Sequence, residues 1–364
     1  MNLRNLHISN FRNHKETDLT LPPGGAIFEG INGSGKTNLL ESIYMLCTGR
    51  SQRGAKRSDM ISFGAECSFL EGKFCDEDGL TTAASVGFSR DKRISMNIDG
   101  RPIQSFSDWF GHRPVVSFGS DDLMLVSGSP EHRRRFLDIV GSQIDSEYLD
   151  ALISYRHWLS CRNHLLNENI DVIQCETYEE KMAETGAEIV IKRKEIISVI
   201  SLYLAEFYAE ISGKREKADL LYEPGFGCDF ISKNEWKNVF YNMLRQRRKR
   251  DIQTGYTTIG PHRDDLCFLL NDKPAKIFGS QGQCRSIVLS LKLSSVNCIE
   301  KYRKEKMIFL IDDAIAELDP QRTSMVFPLV EKRGQVFIAA PEVNVPLSGE
   351  YLRCRVCDGK VDVL

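Results

Sequence analysis

Residues 30–37, with the sequence GINGSGKT, constrain the fold of this chain more than any other segment. They fit the phosphate-binding pattern G-x-x-x-x-G-K-[ST], in which glycines let backbone N–H groups surround phosphate oxygens without a Cβ in the way. Residues 26–29, AIFE, predict a short buried strand before the loop. Residues 38–46 predict a helix after it, with its positive dipole end at the phosphates. The segment therefore predicts a P-loop in an α/β domain.

The residues of this loop have expected roles in binding a nucleoside triphosphate. Lys36 is long enough to reach the β- and γ-phosphates, and the Thr37 hydroxyl suits Mg²⁺. The predicted nucleotide-binding residues of the loop are Gly30, Ile31, Asn32, Gly33, Ser34, Gly35, Lys36 and Thr37.

Composition narrows the possible partners and the compartment. The 364 residues carry a formal net charge of −2, which excludes attraction of the whole surface to nucleic acid and leaves only local basic clusters. No apolar run reaches the roughly 20 residues of a membrane-spanning helix, and residues 1–7 lack the apolar core of a secretory signal. The 11 cysteines are scattered, as is usual in a reducing compartment. We therefore expect a cytoplasmic protein without a membrane partner.

Cys354 and Cys357 form a C-x-x-C pair. A structural zinc site needs two such pairs, or one pair with suitably spaced histidines. Residues 351–357 also have the pattern of a final strand, in which positions three apart face opposite sides. We interpret the pair as reduced strand cysteines.

Three regions of the chain differ in periodicity. Residues 1–118 contain short strand-like runs, with hairpin signals at Asp78-Gly79 and Asp99-Gly100. A helical period dominates from about residue 130 to residue 250, and alternating strands and helices return after residue 255. We predict a split α/β head, residues 1–120 and 255–364, with an inserted α-helical arm at residues 121–254.

Residues 307–313, MIFLIDD, form an apolar run that ends in two carboxylates. A buried parallel strand of this kind delivers Asp312 to the edge of the sheet, where it would hold the Mg²⁺ shell. Asp313 would then stand where a carboxylate can polarise the attacking water. We therefore predict Thr37 and Asp312 as metal ligands, and Lys36 and Asp313 as catalytic residues.

A third segment precedes the helix predicted at residues 285–299. A hydroxyl and free N–H groups at the positive end of a helix suit a terminal phosphate, but the same residue types also suit a helix N-cap. The segment alone leaves both interpretations open. Its residues are Ser280, Gln281, Gly282 and Gln283.

The order of these motifs resembles that of the ABC-type ATPases, which carry a P-loop, a signature before a helix, and an acidic strand followed by a loop like Glu-Leu-Asp at residues 317–319. In that class the signature of one subunit covers the nucleotide held by the other. The resemblance implies an ABC-type P-loop ATPase head and an ATP-dependent homodimer, in which Ser280 acts on the partner's nucleotide.

Further segments resemble the bacterial RecF family over nearly the whole chain: LHISNFRN at residues 6–13, GSPEHRRRFLD at 128–138 and GPHRDDL at 260–266. The family implies ATP-dependent dimerisation on single-stranded or gapped DNA, and cooperation with RecO and RecR to load RecA. Roles in DNA repair, DNA replication and the SOS response follow from that activity. The resemblance also places Arg12 and Asn13 near the nucleotide.

One position departs from the transport-type ABC pattern, which has Glu after the metal-binding Asp. The side chain of Asp313 is one methylene shorter and must still reach the water. We therefore expect slow, DNA-stimulated hydrolysis, with ATP serving mainly as a switch for the dimer.

Three basic clusters are candidates for DNA contact. Phosphate binding needs clustered Lys and Arg, yet a charged run is often only the solvated face of a helix, and the arginines at 133–135 could instead form buried ion pairs. No aromatic platform for single strands is visible, so the expected contacts are with the backbone and independent of base sequence. The residues predicted from the other two clusters are Arg50, Arg53, Lys56, Arg57, Arg247, Arg248 and Lys249.

Two other classes of protein carry a P-loop head of this type. A nuclease would need a further acidic metal cluster after Asp312, and we expect the remaining residues to be too few to hold one. A transporter-energising ATPase would have Glu at position 313 and a polar residue near Ala340, and this sequence has neither. The sequence therefore favours the DNA-binding dimer.

Overall fold

The computed structural model describes residues 1–91, 93–168, 172–225, 232–313, 320–343 and 347–364. They form two compact units, which we call the head unit (Met1–Asp122 with Arg303–Leu364) and the helical unit (Leu123–Tyr302). Residues 255–302, which the sequence assigned to the head, thus belong to the helical unit. The Glu-Leu-Asp segment at 317–319 lies outside the described residues.

Strands and helices are numbered in chain order over the described residues. Strands β1 to β15 are Asn2–Phe11, His14–Thr20, Gly25–Glu29, Cys67–Cys75, Thr81–Ser89, Ile94–Ile98, Arg101–Pro102, Val115–Phe118, Ala218–Glu223, Asp265–Leu270, Lys273–Pro274, Met307–Asp312, Gly334–Ala340, Leu352–Cys357 and Lys360–Val363. Helices α1 to α9 are Lys36–Thr48, Met124–Ser127, Pro130–Ile144, Ser146–Leu166, Val172–Ile211, Lys233–Thr254, Ala275–Phe278, Gln281–Tyr302 and Pro320–Arg333.

The head unit contains two six-stranded sheets. One is antiparallel, in the order β2-β1-β4-β5-β6-β7. The other has the order β15-β14-β3-β13-β12-β8 and is parallel except for its edge strand β15. In β12 and β13 almost every residue is buried, as expected for parallel strands covered on both faces. The carboxyl ends of β3, β12, β13 and β14 therefore meet at one edge.

Helix α1 lies at the centre of the core of the head unit. All of its residues except Thr37 and Asn38 are buried. Its apolar side chains join one cluster with residues of both sheets, such as Phe74 of β4 and Phe337 of β13. A helix that is buried all round cannot shift without exposing apolar surface, so the two sheets fix the position of the loop that precedes it.

The helical unit is built along α5, a helix of 40 residues. The helical period predicted for this region is confirmed here, since Ile189, Ile196, Ile200 and Leu204 recur at helical spacing and are buried. Helices α4, α6 and α8 pack on α5. The packing of α8 on α5 explains why residues 255–302 join this unit.

Two expectations about secondary structure are wrong. Strand β9 interrupts the region predicted to be helical, because its alternating side chains pair in register with β10. Strand β14 is not the final strand, because a turn at Asp358-Gly359 leads into β15. The opposite faces of Cys354 and Cys357 are confirmed, since the former is buried and the latter exposed. No helix within the described ranges is long and apolar enough to cross a membrane.

Buried ion pairs hold the helical unit together. Arg162 of α4, which is fully buried, lies 3.0 Å from Glu179 of α5 and 2.8 Å from Asp251 of α6. Arg193 of α5 lies 2.6 Å from Asp264. Breaking a buried pair leaves a charge without its partner, so these contacts fix the relative positions of the elements that they join.

We predict that His262 makes the stability of the protein sensitive to acid. Burial lowers the pKa of this histidine to about 4, and its ring lies 2.8 Å from the Tyr155 hydroxyl and 3.0 Å from the Thr257 carbonyl oxygen. Because the folded pKa lies below the unfolded value, the contribution is complete above about pH 6.5 and is lost as the pH falls towards 4.

Acidification from pH 8 to pH 4 should therefore cost the wild type about 3 kcal/mol more unfolding free energy than His262→Gln, as measured by urea denaturation. The control is His164→Gln, which changes a histidine whose side chain is 77% exposed. An equal loss in wild type and His262→Gln would contradict the prediction.

Candidate functional site

The P-loop leaves β3 at Gly30 and enters α1 at Lys36. Gly33 and Gly35 have φ angles of 81° and 118°, in the left-handed region that favours glycine. Gly35 is the N-cap of α1 and makes no side-chain cap. The first N–H groups of the helix are therefore left for an anion at this end.

Lys36 lies within the loop. Its side chain is almost fully buried, and Nζ donates to the carbonyl oxygens of Gly30 at 2.8 Å and Ile31 at 2.9 Å. These bonds use two of the three N–H groups of the ammonium. The third can donate to a phosphate oxygen, which is the role predicted for this residue.

Thr37 and Asp312 are brought together, as the metal prediction requires. The Thr37 hydroxyl donates to Asp312 Oδ1 at 2.8 Å. β13 lies between β3 and β12, so the contact spans the edge of the parallel sheet. Burial raises the pKa of Asp312, and the neighbouring Asp313 raises it further, while the Thr37 hydrogen bond and Arg53 oppose the shift. A divalent cation here would favour the ionised carboxylate.

Asp313 has a strained backbone and a carboxylate oxygen without a hydrogen-bond partner in the described part of the chain. Its φ angle is 46°, which is unusual for a residue with a Cβ. Its N–H donates to the Ala339 carbonyl oxygen at 2.9 Å, which fixes this conformation against β13. Strain and an unpaired polar atom at the mouth of a site are typical of a functional residue.

The residues at this edge fit a nucleoside triphosphate and its Mg²⁺. Ser34 Oγ and Asp313 Oδ1 are buried and have no hydrogen-bond partner among the described residues. Such atoms reduce stability unless a ligand satisfies them. A phosphate oxygen can accept from Ser34, and a water of the Mg²⁺ shell can donate to Asp313. The Thr37 hydroxyl and the Asp312 carboxylate are oxygen ligands of the kind that Mg²⁺ prefers.

Arg12 and Asn13 have different surroundings. Arg12 forms an ion pair with the buried Glu41 of α1 at 2.9 Å and also donates to the Asp59 carbonyl oxygen. Asn13 Nδ2 donates to the Ser34 carbonyl oxygen at 2.9 Å and so contacts the loop itself. The structure therefore places Asn13 against the P-loop and Arg12 beside the helix that follows it.

The signature segment forms an N-cap. The Ser280 hydroxyl accepts from the Gln283 N–H at 3.2 Å, and Gln283 Oε1 accepts from the Ser280 N–H at 2.7 Å, which is a reciprocal capping box. Ser280 and Gln281 are exposed at the amino end of α8, and Gly282 follows them. These residues belong to the helical unit, whereas the P-loop belongs to the head unit.

The basic cluster after α1 is exposed. Cζ of Arg50 lies 4.9 Å from the centre of the Phe106 ring. Arg53 is close enough to Asp312 to oppose the rise in its pKa. Lys56 and Arg57 are also exposed.

The basic residues of α6 differ in exposure and in their contacts. Lys249 is exposed and Arg247 is partly buried. Arg248 instead donates to the buried carboxylate of Glu179, including one bond of 3.1 Å from Nε. This ion pair gives Arg248 a structural role within the helical unit.

Sequence reasoning missed two segments that contact the loop. His14 Nε2 lies 3.0 Å from the Gly35 carbonyl oxygen, and the Gly359 N–H donates to the Ser34 carbonyl oxygen at 2.9 Å. The dipeptide Asp358-Gly359 is a strong hairpin signal that the prediction overlooked. No local signal in the sequence links either segment to the loop.

The chain is similar to known proteins over nearly its full length. A family model for the RecF/RecN/SMC N terminal domain matches residues 2–347. The DNA replication and repair protein RecF of Geotalea daltonii is 35% identical over 366 residues, which cover 99% of this chain and 100% of that protein.

Two solved structures are also similar. One, described as the recombination mediator protein RecF-ATP in the RecFOR pathway, has a TM-score of 0.91 and 30% identity, and covers 100% of this chain and 97% of that one. The Smc head domain of Pyrococcus furiosus, with an extended coiled coil and the C-terminal domain of ScpA, has a TM-score of 0.56 and 18% identity, over 100% and 96% of the two chains.

The match to the RecF/RecN/SMC family model, together with a P-loop threonine that is hydrogen-bonded to an acidic strand end, defines the fold of an ABC-type ATPase head. The family model and the similarity to a RecF protein over 99% of this chain identify the family within this class. The chain belongs to the RecF family.

We predict that Asp313 costs the protein stability. Asp313→Gly removes both the positive φ of a residue with a Cβ and the unpaired buried oxygen. It should raise the free energy of unfolding by about 1 to 2 kcal/mol in urea denaturation.

The matched control is Asp272→Gly. Asp272 has a φ angle of 63° but is exposed in a turn, so only the backbone strain is relieved. A gain at Asp313 no larger than that at Asp272 would show that the unpaired oxygen carries no cost.

Proposed function

We propose that this chain binds ATP and Mg²⁺ in its head unit, dimerises around ATP on DNA, and acts in recombinational repair and DNA replication. The observation that carries the proposal is the 2.8 Å hydrogen bond between Thr37 and Asp312, because it joins the two oxygen ligands beside the P-loop. The proposal is also supported by the relative from Geotalea daltonii, which is a DNA replication and repair protein, and by the similar solved structure described as RecF-ATP.

The chemistry of the site follows from the side chains at the sheet edge. Lys36 and the N–H groups at the start of α1 bind phosphate oxygens, and Mg²⁺ held by Thr37 and Asp312 would neutralise charge on the transferred phosphoryl group. Asp313 accepts a proton from the attacking water or orients it. Its carboxylate is one methylene shorter than that of Glu, so hydrolysis is slow and ATP acts as a switch for the dimer.

The second half of the site comes from a second copy of the chain. Ser280 and Gln281 are exposed, and they lie at the positive end of a 22-residue helix, which favours an anion. In ABC-type ATPases this segment covers the partner's nucleotide. ATP therefore links two head units, and slow hydrolysis releases them.

DNA contacts are independent of base sequence and use the basic cluster after α1. Exposed Lys56 and Arg57 can bind phosphates, with Arg50, Arg53, Arg247 and Lys249 as further contacts. The preferred DNA is single-stranded or gapped. Membership of the family supports cooperation with RecO and RecR in loading RecA, and through it a role in the SOS response.

We predict that dimerisation depends on ATP and on Ser280 of the partner. Light scattering after gel filtration should show a wild-type dimer with ATP, stabilised by gapped DNA. Lys36→Met and Ser280→Arg should each stay monomeric, because the first lacks the phosphate contact and the second blocks closure. Mixing the two variants should restore dimers, since one composite site then joins an intact P-loop to an intact signature.

The matched control is Ser232→Arg. Ser232 is also an exposed N-cap serine, and its side chain accepts from the Glu235 N–H at 3.2 Å. This variant should dimerise like the wild type. A Ser280→Arg protein that also does so would contradict the role in trans.

We predict that DNA affinity falls steeply with salt. The double variant Lys56→Ala/Arg57→Ala should reduce the slope of log K against log salt concentration by about 2, one for each lost phosphate contact, in fluorescence anisotropy with gapped DNA. Arg248→Ala should leave the slope unchanged and lower the free energy of unfolding by about 2 kcal/mol, because Glu179 loses the bonds from Arg248 and keeps Arg162 as its buried partner. An affinity that is independent of salt would rule out backbone recognition.

A further inference from the structure

The outer side of the P-loop is held by two segments that are distant in sequence. The Ser34 carbonyl oxygen accepts from Asn13 Nδ2 at 2.9 Å and from the Gly359 N–H at 2.9 Å. The Gly35 carbonyl oxygen lies 3.0 Å from His14 Nε2, and the other ring nitrogen, Nδ1, lies 2.9 Å from the Gly359 carbonyl oxygen. His14 thus links the loop to the C-terminal hairpin.

These contacts hold the peptide plane between Ser34 and Gly35 and pack against the next one. The Ser34 carbonyl and the Gly35 N–H belong to one peptide, and the Gly35 carbonyl and the Lys36 N–H belong to the next. Among the described residues no peptide bond is cis, so in each plane the carbonyl and the N–H point in opposite directions. Holding the Ser34 carbonyl outward therefore directs the Gly35 N–H into the loop, where phosphate binds. The Gly35 carbonyl also accepts from the Asn38 and Leu39 N–H groups, so the first turn of α1 helps to orient the second plane.

The sheet brings the C-terminal hairpin to the loop. Strand β14 pairs in parallel with β3, and Arg355 is the partner of Glu29 just before the P-loop. The turn that follows has φ angles of 47° at Asp358 and 77° at Gly359, as in a two-residue hairpin with Asp-Gly. A Cβ at Gly359 would lie 2.0 Å from the Asn13 carbonyl oxygen, so only glycine fits.

His14 is suited to this position. It is fully buried, and burial lowers its pKa. The ring is rigid and carries one N–H when neutral, so it donates to one of the two carbonyl oxygens and packs against the other. A Cβ at Gly35 would lie 2.9 Å from its Nε2, which shows how closely the ring packs on the loop.

We propose that Asn13, His14 and Gly359 form a brace that sets the affinity of the P-loop for a polyphosphate. They are positioning residues, because they contact the outer side of the loop and act through the N–H group of Gly35. The inference rests on the proposed binding of ATP. It gives the C-terminal hairpin a role in nucleotide binding.

The test compares two glycines with the same turn geometry. Gly359→Ala disturbs the brace, whereas Gly100→Ala changes an Asp-Gly turn with φ angles of 50° and 75° in which a Cβ at the glycine meets nothing within 4 Å. The affinity of each protein for a fluorescent ATP analogue is measured, with inorganic tripolyphosphate as competitor. Circular dichroism and urea denaturation establish that each variant is folded.

We expect Gly359→Ala to weaken binding of both the ATP analogue and tripolyphosphate by about tenfold, because misdirected N–H groups lose phosphate contacts. Gly100→Ala should bind like the wild type. His14→Gln should weaken both ligands in the same way, and it decides the test alone if Gly359→Ala does not fold.

The proposed brace is wrong if Gly359→Ala and His14→Gln bind the ATP analogue and tripolyphosphate with affinities within twofold of those of Gly100→Ala. A folded wild type that binds the ATP analogue no better than Lys36→Met would instead overturn the proposed function. The two failures are therefore distinguishable.

Discussion

The enclosure of α1 between two sheets is the constraint on which the rest of the head unit depends. The apolar side chains of α1 belong to one core with both sheets, so the start of the helix cannot move without opening that core. Thr37, at this start, is therefore held within hydrogen-bond distance of Asp312 at the end of a strand on the same sheet edge. The geometry of the site is a consequence of packing that lies behind it, not of contacts among the site residues alone.

Buried charge has the corresponding role in the helical unit. The motif at residues 128–138 contributes Arg133, which lies 2.6 Å from Asp265 in the motif at residues 260–266. Asp264 of the second motif pairs with Arg193 of α5. Arg133, Asp264 and Asp265 of these motifs therefore act within the helical unit as ion-pair partners. Arg248 is a further example. It lies in a charged run on a helix, but it forms an ion pair with the buried Glu179.

Much of the fold and part of the site could be predicted from the sequence. The P-loop, both hairpin signals and the acidic end of β12 depend on local residue types and periodicity, and the structure confirms these elements. Strand β9 was missed because it is held by pairing with β10, which is distant in the sequence. The paired residues Glu223 and Asp265, for example, are 42 positions apart. The contacts of His14 and Gly359 with the loop were missed because parallel pairing of β14 with β3 creates them.

The sequence by itself determined which groups are present at the site: the glycines that let the loop turn, the ammonium of Lys36, the hydroxyl of Thr37 and the carboxylates of Asp312 and Asp313. These follow from residue type and spacing over a few positions. Only the tertiary structure decided that Asp313 is strained, with a carboxylate oxygen that has no partner among the described residues. It also decided that Arg248 pairs with Glu179 and that the C-terminal hairpin contacts the P-loop. The physical reason is that burial, strand order and pairing across hundreds of residues set these contacts, and no local pattern specifies them.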